Sequence, residues 1–250
     1  MEVLRVDGLC KKYPEFELKN VSFRLESGQI MGFVGRNGAG KSTTIKAMLN
    51  MIHSESGRAE ILGMNVAENE TECKKNIGVV YGGINFYPKK KLSVIKNTVK
   101  SFYGESWDEE KYNKYINLFS IDDRKTADEL SSGMKIKFLI ALALSHGAKL
   151  LIFDEPTSGL DPVSRDDICR LFQSLVKSGE RAIFFSTHIV SDLEKCATHI
   201  TYIRNGEIAE SLPIGEMLEK YSELKPDGKP SLEEIIVSLE RTDYDDEIFD

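Results

Sequence analysis

An α/β fold with an inserted helical block follows from three observations on this 250-residue chain. Apolar strand candidates at residues 21–25, 29–34, 150–153, 182–185 and 200–203 alternate with helical stretches over the first 210 residues, the pattern of a largely parallel sheet covered by helices. A glycine-rich loop, GRNGAGKS at residues 35–42, follows one of these strands and opens a helix read over residues 43–51. The strand signal fades between about residues 82 and 147, where Tyr112, Tyr115, Ile116 and Phe119 recur at three-to-four spacing on one helical face.

Taken in order, residues 1–82 and 147–210 form the expected α/β core, and residues 83–146 the helical block. Residues 211–250 form an appendage in which Pro213, Pro226 and Pro230 separate two short helical candidates. Ser231-Leu-Glu-Glu234 is a capping box that starts a helix through Leu239, and the acidic end, residues 243–250, is expected to fray.

Composition narrows the class. With 41% hydrophobic residues the chain has enough apolar content for one substantial core. The longest apolar run, residues 138–144, is far short of the ~18–20 residues that span a bilayer. The start lacks the charged and apolar regions of a secretory signal. A net charge of −7 gives no basic footprint for nucleic acid, and Lys89-Lys90-Lys91 reads as a solvated turn. The scattered Cys10, Cys73, Cys169 and Cys196 form no C-x-x-C pair, so reduced structural thiols are expected.

The glycine loop carries the chemistry. It matches G-x-x-x-x-G-K-[ST], in which successive backbone N–H groups curl around anionic phosphate oxygens. Gly35, Gly38 and Gly40 permit the curl, and a side chain there is expected to block the phosphate. Lys41 supplies a mobile cation for the β and γ phosphates, Ser42 a hydroxyl for Mg²⁺, and the helix start a positive dipole end. A second motif, Leu-Leu-Ile-Phe-Asp-Glu at residues 150–155, ends an apolar strand in two carboxylates at the ligand-binding edge of the sheet. Strand alternation is expected to turn Asp154 and Glu155 in different directions, one toward Mg²⁺ and one toward a water.

Upstream of that strand lies Leu130-Ser-Ser-Gly-Met134; downstream come Ser158-Gly-Leu-Asp161 and Ser186-Thr-His188. With these motifs in this order across nearly all of residues 1–210, the chain resembles the nucleotide-binding subunit of an ATP-binding cassette (ABC) transporter. The resemblance implies a P-loop NTPase core with a mixed or parallel sheet, an inserted α-helical subdomain, an N-terminal antiparallel β portion and a short helical C-terminal appendage. It implies ATP and Mg²⁺ as cofactors, with Tyr13 stacking on adenine and Gly35, Arg36, Asn37, Gly38, Ala39, Gly40, Lys41, Ser42 and Thr43 gripping the phosphates. Ser42 and Asp154 would serve the Mg²⁺ shell, Glu155 would polarise the attacking water, and His188 would sense the γ-phosphate. Ser131 and Gly133 would contact the γ-phosphate bound by a second subunit, while Ser158 and Asp161 cross the seam between the two. His53, His146 and His199 take no role.

Three departures from the family pattern stand out. Ser132 and Met134 replace the usual glycine and glutamine of the signature, leaving the Ser131 hydroxyl and the Gly133 backbone in place. Gly82 occupies the position of the glutamine that usually reaches metal and water, so Gly82-Gly83 is expected to act mainly as a hinge.

The implied partners are a second cassette subunit, identical or sister, and a separate transmembrane permease that holds the chain at the cytoplasmic face of the cell membrane. The single cassette and the segment from Ser231 to Ile236 resemble cassettes of bacterial exporters of antimicrobial or amphipathic peptides and drugs. Aromatics in the helical block, Phe86 and Tyr87 among them, are the candidate docking surface. The competing class is a soluble cassette ATPase acting in assembly or regulation, as in iron–sulfur biogenesis. Chromosome-structuring ATPases fit poorly, because the 89 residues between Lys41 and Ser131 leave no room for a long coiled coil.

Overall fold

The computed structural model describes residues 1–81, 87–225 and 228–240. Gly82, Gly83, Phe86, Pro226 and the acidic end therefore lie outside the described residues, and with them the expected hinge. Ten strands and nine α-helices are described: β1 Glu2–Tyr13, β2 Phe16–Glu26, β3 Ile30–Val34, α1 Lys41–Met48, β4 Ser56–Ile61, β5 Met64–Asn65, α2 Glu70–Lys75, β6 Ile77–Tyr81, α3 Leu92–Tyr103, α4 Glu109–Leu118, α5 Ser132–Ser145, β7 Leu150–Asp154, α6 Pro162–Val176, β8 Ala182–Thr187, α7 Val190–Cys196, β9 His199–Arg204, β10 Glu207–Pro213, α8 Ile214–Lys220 and α9 Leu232–Glu240.

Two sheets form. The larger has strand order β10-β9-β3-β8-β7-β6; its strands from β9 to β6 pair in parallel and β10 pairs antiparallel with β9. The smaller, β2-β1-β4-β5, is antiparallel throughout. The mixed core sheet and the N-terminal antiparallel portion thus match the fold that the resemblance implies.

Burial explains which strands stand out in the sequence. β3 is buried at all five positions and reads as an unbroken apolar run, whereas β1 carries register shifts that break its alternation. The core between the sheets is centred on Phe23 of β2, Phe33 of β3 and Phe184 of β8, with ring centroids 5.2–5.6 Å apart. On the opposite face, Phe153 and Phe185 pack with Phe172 of α6 and Ile140 of α5. Leu232 and Ile235 of α9 are buried in the same cluster, so the C-terminal helix is part of the core packing.

α5 joins two cores, which accounts for the apolar run at residues 138–144. Its Ile136, Ile140 and Leu144 face the sheet, while Phe138, Ala141 and Leu142 pack with Leu92, Trp107, Tyr112 and Ile116 in the helical block. Among the described residues no helix is long and apolar enough to cross a membrane. All four cysteines are free, and Cys73, Cys169 and Cys196 are buried.

His146 closes α5 and carries a pH consequence. Its ring stacks on Tyr103 with centroids 3.6 Å apart, and Nδ1 donates to the Lys75 carbonyl at 3.2 Å. Burial pushes its pKa down to about 4 from 6.5. The unfolded chain therefore takes up a proton below pH ~6.5 that the folded chain refuses, so stability is lost as pH falls from ~6.5 toward ~4, by on the order of 2–3 kcal/mol. Denaturant unfolding at pH 7.5 and 4.5 should show a smaller loss for His146→Phe, which keeps the stacking but cannot titrate; equal losses would contradict this.

Candidate active site

β3 delivers the glycine loop to the carboxyl edge of the sheet, and α1 leaves it. Gly40 caps α1 at φ 113 and Gly38 lies at φ 86. No side chain caps the helix start, so its free N–H groups remain for a ligand. The backbone curl expected of these glycines is present, and tight packing adds a second reason for two of them. A Cβ at Gly35 would lie 2.3 Å from the Ile203 carbonyl oxygen, and one at Gly40 2.8 Å from Phe16 Cζ. At Gly38 a Cβ would meet nothing, so there the positive φ selects glycine. Close packing at Gly35 and Gly40, and positive φ at Gly38 and Gly40, thus each favour glycine in this loop.

In this structure Lys41 is held inside the loop. Its buried Nζ donates to the carbonyls of Gly35 at 2.7 Å and Arg36 at 3.3 Å, and lies 3.5 Å from Glu155 Oε1. Ser42 Oγ donates to Asp154 Oδ2 at 2.9 Å, and Ser186 Oγ donates to Asp154 Oδ1 at 2.5 Å.

Asp154 and Glu155 do diverge, but not by strand alternation. β7 ends at Asp154, and Glu155 sits in the left-handed region at φ 52, its N–H donating to Ser186 Oγ at 3.0 Å. That turn carries Glu155 away from Ser42 toward Lys41 and His188. His188 Nδ1 donates to Glu155 Oε2 at 2.8 Å.

A cavity of about 610 Å³ opens over the loop, lined by Tyr13, Glu15, Phe16, Arg36, Asn37, Gly38, Gly40, Lys41, Ser42, Thr43 and Glu155. Tyr13 is 40% exposed, and Lys11 Nζ lies 5.5 Å from its ring centroid. Phe16 and Glu15 were missed by the sequence reading; the signal was the tight hairpin that pairs Tyr13 with Phe16.

The remaining expected residues stand apart from this cavity. Ser131 caps α5, its Oγ accepting from Met134 N–H at 3.3 Å, and Gly133 is buried in the first turn. Asp161 caps α6, accepting from Val163 N–H and Ser164 N–H at 3.0 Å each. The hydrogen bond from the Ser164 hydroxyl holds the Asp161 carboxyl below the usual carboxylate range. Neither Ser131, Gly133, Ser158 nor Asp161 lines the cavity.

The Ser42 hydroxyl and Asp154 carboxylate are hard oxygen donors placed side by side, a set that fits Mg²⁺. Among the described residues no group of three or more His, Cys, Asp or Glu forms a metal cage. A pair of this kind suits an ion that fills its shell with water and phosphate oxygens.

The ABC transporter family pattern matches residues 18–158, more than half of the chain. The chain belongs to the ABC transporter family. It is 32% identical to the bacitracin transport ATP-binding protein BcrA of Bacillus licheniformis, over 87% of this chain and 72% of that protein. Its identity to BcrA of Enterococcus faecalis is 30%, over 97% of this chain and 80% of that protein. A solved structure of an ATP-binding subunit of an ABC transporter superposes with a TM-score of 0.83, covering 96% of this chain and all of that one, at 24% identity. As an ABC transporter ATP-binding subunit the chain has ATP binding and hydrolysis as its general activity, and family membership implies Mg²⁺.

Proposed function

We propose that this ABC subunit works as one half of a two-subunit clamp that closes over two Mg²⁺-ATP, drives a separate permease, and exports a peptide or drug from the cytoplasmic face of the cell membrane. One observation carries the clamp reading: the nucleotide cavity holds Lys41, Ser42 and Glu155 but neither Ser131 nor Gly133 of its own signature. A serine hydroxyl and a close-approach glycine for the γ-phosphate then come from a second copy or a sister cassette, with Ser158 and Asp161 at the seam.

Within one half, the loop amides and Lys41 bind the phosphates and Tyr13 covers the base. Lys41 must leave the Gly35 and Arg36 carbonyls and Glu155 to reach a phosphate. Its departure frees Glu155 Oε1 to accept a proton from the attacking water, while His188 keeps hold of Oε2. Bound at Ser42 and Asp154, Mg²⁺ would neutralise charge developing on the phosphate oxygens. Hydrolysis removes the γ-phosphate shared by the two halves, and they part.

The export reading rests on the relatives and on the helical block. Both BcrA relatives are named for bacitracin transport. For the permease, the helical block offers exposed aromatics: Tyr87 is 66% and Phe102 82% exposed. Phe102, Val99, Tyr103, Leu139 and Val79 line a groove of about 660 Å³ among α2, α3, α5 and β6, with Glu70, Lys74 and Lys75 on its α2 side, which suits an amphipathic helix of a partner. Tyr112 and Trp107, by contrast, are spent in the block's own core. Affinity purification from native membranes should recover a polytopic chain with the wild type, and at least about fivefold less with Tyr87→Ala/Phe102→Ala, as truncating interface anchors costs ~1–2 kcal/mol or more. Undiminished recovery would contradict this surface, and recovery of no polytopic chain would contradict the permease.

A further inference from the structure

The end of α9 abuts the phosphate loop. Glu240, its last residue, places Oε2 3.7 Å from Arg36 Nη1, while Oε1 accepts the hydroxyl of buried Tyr202. Arg204 Nη1 donates to the Leu239 carbonyl at 2.7 Å. The helix is anchored at its other end too, by buried Leu232, whose N–H donates to Glu194 Oε1 at 3.0 Å. Glu240 is therefore a held carboxylate rather than a wandering surface charge.

This contact borders a second cavity of about 710 Å³, lined by Arg36, Asn37, Gly38, His188, Arg204 and Glu240 among others. Arg36, Asn37 and Gly38 line both this cavity and the one over Lys41. The same stretch of loop thus faces the nucleotide site on one side and the end of α9 on the other.

The electrostatics of the two sides oppose each other. The loop and the start of α1 collect anionic oxygens, whereas Glu240 brings a full negative charge to the other side of the loop. Arg36 is 77% exposed on its side chain and long enough to swing, so Glu240 and a triphosphate compete for one guanidinium. Like charge near the site further disfavours the triphosphate.

We propose that Glu240, clamped by Tyr202, is a positioning residue that draws Arg36 toward α9 and so lowers the affinity of the phosphate loop for nucleotide. By linkage, a bound triphosphate that captures Arg36 loosens the end of α9 by the same factor. The inference rests on the nucleotide-site reading above.

The test is the affinity of the purified chain for a fluorescent ATP analogue with Mg²⁺, for the wild type, Glu240→Gln, Glu240→Asp and Tyr202→Phe. Glu240→Gln should bind about three- to tenfold tighter at low salt, with the gain shrinking as salt rises. Glu240→Asp, which keeps the charge, should stay near the wild type, and Tyr202→Phe, which only loosens the clamp, should fall between. In steady-state hydrolysis the change should appear in KM rather than kcat. Equal or weaker binding by Glu240→Gln, in protein whose thermal midpoint matches the wild type, would overturn the proposal. A wild type that binds no analogue would instead overturn the nucleotide site itself.

Discussion

Glu155→Gln is expected to keep its affinity for Mg²⁺-ATP while turnover falls by about 10²-fold or more, the share of a rate that a positioned general base supplies. The substitution is nearly isosteric, and the glutamine can still pair with His188 through the position now bonded at 2.8 Å. It does remove the anion 3.5 Å from Lys41, so the lysine is released to a phosphate more readily. Binding should therefore be unchanged or slightly tighter. Fold stability should fall by no more than about 1–2 kcal/mol, because the His188 hydrogen bond is kept and Lys41, though it loses the Glu155 anion, keeps its two carbonyl acceptors. Equilibrium binding and single-turnover hydrolysis measured on the same preparation separate the two effects. Turnover at the wild-type rate would remove Glu155 from its assigned role.

Lys41→Ala should weaken ATP binding by about 30-fold or more, the equivalent of losing one charge-assisted hydrogen bond worth ~2–3 kcal/mol. The structure adds a second consequence. Lys41 bridges two loop carbonyls and Glu155, so its removal also leaves those groups without their cation. The loop should lose order, and Glu155 should rely on His188 alone. Hydrolysis should then fall further than saturation with ATP can restore. Isothermal titration with Mg²⁺-ATP checks the first effect; wild-type affinity would overturn the phosphate role of Lys41.

Sequence reading reached furthest where local chemistry and tertiary context agree. β3, β7 and β8 are buried on both faces, so their apolar runs announce themselves, and the loop after β3 is written in glycines whose spacing admits few other uses. The capping box at Ser231 also forms: Ser231 N–H donates to Glu234 Oε2 at 2.7 Å, and Glu234 N–H donates back to Ser231 Oγ at 3.1 Å. What the sequence concealed is tertiary. Bulges blur β1, the two residues of β5 are too few to show a period, and Gly78 and the exposed Val79 interrupt the apolar run of β6. The separation of Asp154 from Glu155 depends on a backbone turn at φ 52 that alternation cannot foresee. Lys41 reads as a free cation until the fold brings the Gly35 carbonyl and Glu155 against it. The contact of Glu240 with Arg36 joins residues 204 positions apart, beyond the reach of any local pattern.

The central claim is that two cassettes complete each other's ATP sites. Its most direct test is the molar mass of the Glu155→Gln chain, reconstituted with its permease or supplied as a purified cassette with any sister chain, by sedimentation at saturating Mg²⁺-ATP. The account predicts a cassette pair that forms with ATP, falls apart with ADP, and is lost when Ser131→Arg is added. Cassettes that remain single at saturating Mg²⁺-ATP would contradict it.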